Sequence, residues 1–179
     1  MTAAVRAATV AGRMTEPAGR LDAAAVIDAL REVADPEIPV ISVVDLGVIG
    51  DVSLEPGRVR VELLPTFVGC PALDPMREAV AERVRSLAPD REVEVAVVFD
   101  PPWTTERITP LGRRHLTEGG FAPPVTGRSG MPVVLDVPVP CPWCGSRRTV
   151  LENAFGPTAC RAIRYCTDCR QPFEQFKQV

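Results

Sequence analysis

Histidine and aromatic residues are scarce in this 179-residue chain, which has one His, one Tyr, two Trp and six Phe. A cysteine or serine nucleophile normally needs a base beside it, and the only histidine, His115, lies 45 residues from the nearest isolated cysteine, Cys70. It follows Arg113 and Arg114 and is expected on an exposed helix face. There are no Glu-x-x-His pairs of the kind that build diiron centres and no GxGxxG cofactor loop. No apolar run approaches the ~18 to 20 residues of a membrane span. The net charge of -3 gives no pull toward nucleic acid or an anionic membrane, and neither is expected as a partner. Residues 1–20 carry no acid before Glu16 and no continuous apolar stretch, so a secretory signal is not expected. A disordered tail is, with Met14 a conceivable alternative start. Internal repeats are also lacking.

What is present is a soluble globular composition, 46% hydrophobic and 24% charged, long enough for one domain and a small module. Residues 22–34 place Ala23, Val26, Ile27, Leu30 and Val33 on one helical face, with Asp22 as N-cap and Asp35-Pro36 as the stop. Residues 41–54 are rich in β-branched side chains and predict a strand, reversed at Glu55-Pro56-Gly57 into the alternating strand 58–63. A helix with Met76, Val80, Val84 and Leu87 on one face follows, then a strand alternating through Val93, Val95, Val97 and Phe99. The order α-β-β-α-β predicts a two-layer α+β domain over residues 21–118, with two helices on one face of a three-stranded sheet. Residues 100–116 are expected to form a loop and short helix that close over the sheet. Trp103 there is either a lid on the core or an interface anchor.

Between 119 and 140, nine of 22 residues are Gly or Pro. That density predicts a linker over 119–138, with 131–137 as a candidate edge strand. A module of ~40 residues, 139–179, remains, and so small a unit buries little core of its own.

Its cysteines supply what the core cannot. Cys141 and Cys144 form one C-x-x-C pair and Cys166 and Cys169 another, separated by 21 residues. This spacing indicates a metal site rather than disulfides, and a reducing cytoplasmic location is expected from it. Two residues between thiolates let a tight turn aim both sulfurs at one ion, and Gly145 can take the positive φ of such a turn. Four thiolates fit a closed, structural Zn(II) site, and iron is possible at the same ligands. Arg147, Arg148, Arg161, Arg164 and Arg170 lie close in sequence and could offset the roughly -2 charge of a zinc tetrathiolate. Cys160, flanked by Ala159, Ala162 and Ile163, is either a buried structural thiol or a spare ligand or redox thiol.

Cys70, in TFVGCPALDP at 66–75, belongs to neither pair. It stands where a strand ends and a helix begins, so a helix N-terminus could lower its pKa; the alternative is an inert buried thiol. The helix start is ambiguous. Pro71 suits a first helical position but puts Pro75 one turn in, whereas Asp74 as N-cap with Pro75 next moves Cys70 off the helix end. A kinked first turn is the third possibility. Asp35 and Glu37 are expected as a turn residue and an exposed acid, and Asp45 as a backbone hydrogen-bonding partner ahead of Gly47.

Two blocks resemble known families. DPEIPVISVVDLGVI at 35–49 with LLPTFVGCPALDPMR at 63–77 is similar to the iron–sulfur assembly domain of SufT-type and cluster-targeting proteins. CPWCGS at 141–146 with FGPTACRAIRYCTDCRQPFEQFK at 155–177 resembles the C-terminal extension of the PaaD family, and DPPWTTERIT and GFAPP match the same proteins. The resemblance spans residues 21–179. It implies an accessory, non-enzymatic subunit of the multicomponent phenylacetyl-CoA epoxidase in aerobic phenylacetate breakdown, one that assists metal or cluster maturation. It further implies the other epoxidase subunits as partners, a transient iron–sulfur cluster or sulfur at Cys70, and a homodimer as one way to complete a cluster's ligands, since one thiolate cannot hold it. A pure interaction module with an inert Cys70, and a thiol enzyme using Cys70 as nucleophile, are the competing expectations.

Overall fold

The computed structural model describes residues 21–125 and 138–178; the expected tail and the candidate strand at 131–137 lie outside them. Helix α1, Ala23–Leu30, starts where Asp22 accepts a 2.8 Å bond from the Ala25 N–H. It ends four residues before the predicted stop, because successive i→i-3 bonds tighten residues 31–33 before the Ala34–Ser42 bridge. Strand β1 is Ile49–Glu55, not the whole of 41–54. Residues 41–48 instead make a buried loop. Ile41, Val43, Leu46 and Val48 fill the core, as a strand would have them do. The Asp45 carboxylate, however, accepts from Ser42 Oγ, Thr109 Oγ1 and Arg31, and Gly47 at φ 74° turns the chain. A β-carbon on Gly47 would meet the Arg107 carbonyl oxygen at 2.4 Å, so the chain can cross there only as glycine.

Strand β2, Arg58–Leu63, pairs antiparallel with β1 and parallel with β3, Glu92–Val97, in the order β1-β2-β3. Helix α2, Leu73–Leu87, makes the crossover and packs with α1 on the sheet. Val59, Val61 and Leu63 face the helices while Arg58, Arg60, Glu62 and Glu94 pair across the other face, which is the alternation the sequence predicts. Phe99 lies beyond the end of β3 and is 55% exposed, so the apolar face of that strand stops at Val97.

A 3-10 turn at Thr105–Arg107 and helix α3, Pro110–Glu118, follow, the helix capped by Thr109 through the Gly112 N–H. A second sheet has the order β4-β7-β6-β5, formed by Phe121–Ala122, Pro172–Phe176, Arg161–Cys166 and Thr149–Asn153. Part of the expected linker is therefore sheet. The φ of 84° at Gly120, which lies against the Trp143 ring, turns the chain so that Phe121 and Ala122 can pair with Glu174 and Gln175.

The two sheets are joined through packed side chains. Phe176 of β7 sits in the core of the first sheet, 5.8 Å from the Trp103 ring, whose Nε1 donates to the Leu46 carbonyl. Trp103 is the lid on the core and joins the second sheet to it, and truncating such a buried ring costs about 3–5 kcal/mol. Arg161, buried on β6, bonds Glu174 at 2.9 Å and reaches Glu37 of the first domain at 3.3 Å.

Candidate functional site

Two thiol regions stand out. In the first, Cys141, Cys144, Cys166 and Cys169 bring their sulfurs within 4.8 Å of one another. Cys141 and Cys169 are 3.7 Å apart, and Cys144 and Cys166 are 3.6 Å apart. Sulfurs placed ~2.3 Å from a tetrahedral zinc stand about 3.8 Å from each other, so the donor set fits a tetrathiolate ion.

Both pairs are presented by the same backbone device. The Gly145 N–H bonds the Cys141 carbonyl and the Cys141 N–H the Ser146 carbonyl; the Arg170 N–H bonds the Cys166 carbonyl and the Cys166 N–H the Gln171 carbonyl. Gly145 takes φ 75° and Arg170 φ 60° at matching positions. The sequence signal for the first turn is its glycine; the second turn carries arginine in the same strained conformation. Burial and the neighbouring thiols push Cys169 up to about 12, while the Cys169 N–H pulls Cys166 down. As thiolates, four sulfurs this close would repel one another, and a bound cation relieves that repulsion.

The arginines divide. Arg164 and Arg161 are buried in the sheet, Arg164 donating to Gln175 Oε1 at 2.5 Å, whereas Arg148 pairs with Asp168 beside the knuckles. Two of the five expected counter-charges are thus structural members of β6.

The second region is a cleft between the two sheets, ≈ 20 Å³ in volume, room for about one water-sized particle. Cys70 and Cys160 both line it, with Asp35, Glu37, Thr66 and Thr158, over a floor that includes Leu46 and Phe176. Cys70 stands two residues ahead of the N-cap Ala72, and Pro75 is the third residue of α2, where its missing N–H has no intrahelical partner to lose. Neither of the two regular starts predicted from the sequence is the one adopted, and no kink is needed.

Burial pushes Cys70 up from the ordinary thiol value, against an opposing Ala72 N–H, and Cys160, Asp35 and Glu37 push it further. Cys160 is raised too, first by burial, with the Thr158 hydroxyl 3.1 Å away and Arg161 opposing. Asp35 is 5% exposed and Oδ1 takes both the Glu37 and Ile38 N–H groups at 2.8 Å. Its turn role is as predicted, and burial raises its carboxyl. Glu37 is exposed but engaged by Arg161. His115 lies elsewhere, in a depression with Arg31 and Asp45, and supplies no base to the cleft. Sequence reasoning missed the pairing of Cys70 with Cys160 across 90 residues; no local spacing could encode it.

Among known protein families, residues 131–177 match the PaaD zinc beta ribbon domain and residues 23–97 match the iron–sulfur cluster assembly protein domain. An Escherichia coli K12 protein, provisionally named as one of the subunits of 1,2-phenylacetyl-CoA epoxidase, is 39% identical over 150 residues, covering 84% of this chain and 89% of that one. The chain belongs to the PaaD family. The assembly half of this PaaD-family chain is also 32% identical, over 85 residues, to the Bacillus subtilis Fe-S protein maturation auxiliary factor YitW, covering 47% of this chain and 82% of the relative. A Bacillus anthracis crystal structure, of a domain of unknown function named DUF59, is 28% identical with a TM-score of 0.49, covering 52% of this chain and 90% of that one. PaaD membership agrees with the four-cysteine metal site and with the assembly-type fold of the first domain. No helix among the described residues is long and apolar enough to cross a membrane.

Proposed function

We propose that this chain is an accessory, non-catalytic subunit of a phenylacetyl-CoA epoxidase system that helps load metal or an iron–sulfur cluster into a partner protein of that system. Zinc in the four-cysteine ribbon holds the C-terminal sheet, and Cys70 is the point at which cargo is received. The observation that carries this reading is the position of Cys70: partly buried, lining the cleft between an assembly-type domain and a metal ribbon. The likeness to an epoxidase subunit over most of the chain, and to a maturation factor over the first domain, supports the pathway and the task.

Two of the most exposed large apolar side chains among the described residues, Val68 at 81% and Phe155 at 72%, sit on the segments leading to Cys70 and Cys160. Exposed apolar tips beside a cargo site suit docking of a protein partner. The nucleophile reading has less support, since burial favours the neutral form of Cys70 and no histidine lines the cleft. The test is epoxidase activity in cells carrying Cys70→Ser. The expected result is a fall of an order of magnitude or more, with the ribbon metal still at one equivalent in the purified variant; wild-type activity would remove the role of Cys70.

A further inference from the structure

A C-x-x-C turn fixes the two sulfurs that it carries, but an ion held by two such turns also needs the turns to keep their distance from each other. The closest sulfur contacts run between the turns, Cys141 to Cys169 at 3.7 Å and Cys144 to Cys166 at 3.6 Å. Pairing of β5 with β6 sets that distance at one point, where Thr149 lies opposite the fully buried Cys166. Cys144 is exposed and Cys169 half-buried, so these two sulfurs are the ones that a competing ligand reaches.

The side chains of the two turns meet beside these sulfurs. Asp168 lies between Cys166 and Cys169, and Ser146 stands two residues after Cys144. The Ser146 hydroxyl donates to Asp168 Oδ2, and Arg148 Nη2 donates to Oδ1. Ser146 is also held from its own side: its carbonyl accepts the Cys141 N–H, and its hydroxyl accepts the Arg148 N–H at 3.1 Å. One serine therefore closes the first turn with its backbone and reaches the second with its side chain. Thr167 adds two bonds to the Arg148 carbonyl, from its N–H and its hydroxyl, both at 3.0 Å. The Arg148 side chain is 78% exposed, so its ion pair contributes little. The Ser146–Asp168 bond is the tie nearest the accessible sulfurs.

We propose that Ser146 and Asp168 form a brace across the two turns that governs how slowly the ribbon gives up its metal, both acting as positioning residues and not as ligands. This rests on the reading of the ribbon as a zinc site. Neither side chain is needed to complete the donor set, since the four sulfurs alone fit a tetrathiolate ion. The brace acts on the sulfurs. With the turns tied, Cys144 and Cys169 stay within bonding distance of one ion, so a chelator that displaces one of them competes with its immediate return.

The experiment uses the full chain loaded with one equivalent of zinc, and follows release to the chelator 4-(2-pyridylazo)resorcinol. Asp168→Ala and Ser146→Ala should each release zinc roughly 10–100-fold faster. The double variant should be no faster than either single one, because both remove the same bond. Asp168→Asn keeps an oxygen that can accept from Ser146 and should release nearly as slowly as the wild type. With Co(II) in place of zinc, every variant should keep the charge-transfer intensity of a four-thiolate site, which loss of a ligand would lower. Ser146→Ala, the milder change, decides the question if Asp168→Ala does not fold. Release at the wild-type rate in Ser146→Ala, additive effects in the double variant, or release from Asp168→Asn as fast as from Asp168→Ala overturns the brace. A wild-type chain that takes up no stoichiometric metal overturns the zinc reading of the ribbon instead.

Discussion

The ribbon knuckles and the seam cleft are both built from cysteine, but they differ in how the sulfurs are brought together. Each knuckle fixes two sulfurs with its own backbone turn, so four donors converge once two hairpins pair. Cys70 and Cys160 come to one cleft where Phe176 docks on Trp103 and Arg161 reaches Glu37. A site made by local turns is rigid and closed, suited to holding structure. A cleft made by contact between the two sheets depends on residues from both of them.

The largest effect that would test this contrast is on the knuckles. Cys166→Ser removes a fully buried donor from a site whose binding energy, about 10–16 kcal/mol in small zinc modules, is folding energy. Hydrogen exchange should show protection lost across β5, β6 and β7, with β1–β3 largely retained; unchanged protection of the ribbon would mean that the metal does not hold it.

A smaller effect is expected at the seam. Because the fold favours the neutral Cys70 thiol, that preference stabilises the protein fully below the unfolded thiol pKa and is lost as pH rises through the folded value. Alkylation of Cys70 by iodoacetamide, mapped by mass spectrometry, should therefore have a midpoint above that of free cysteine. Asp35→Asn should lower the midpoint by removing a nearby negative charge. A midpoint at or below the free value would make Cys70 an activated thiolate and erase the distinction between receiver and nucleophile.

The smallest effect compares the two knuckles with each other. Arg170 holds φ 60° where Gly145 holds 75°, so Arg170→Gly should raise stability by about 1 kcal/mol in urea unfolding, with zinc stoichiometry unchanged. A loss of stability would show that the Arg170 side chain contributes more than its backbone costs.

Much of this was legible from periodicity and spacing. The alternation of 58–63, the apolar face of α2 and the two C-x-x-C pairs each describe a structure that forms over a few residues, and each is found, except that Leu87 at the end of α2 is exposed. The failures have a common cause. Residues 41–48 have the β-branched composition of a strand, yet the polar contacts of Asp45 with Ser42, Thr109 and Arg31 turn them into a loop. Phe121 and Ala122 lie in a Gly/Pro-rich stretch that reads as linker, yet the open edge of β7 recruits them. In both cases a partner more than 50 residues away overrides local preference.

Local residue order was enough to set the α-β-β-α-β succession, the four metal ligands and the isolation of Cys70 from them, because helical faces, strand alternation and knuckle turns are fixed by residues within one or two turns of each other. Long-range packing was needed to bring Cys160 to the same cleft as Cys70, to make Trp103 the joint between the two sheets and to push the Cys70 pKa upward through burial. Those outcomes depend on burial and on charges contributed by distant segments, and neither exists until the chain has folded.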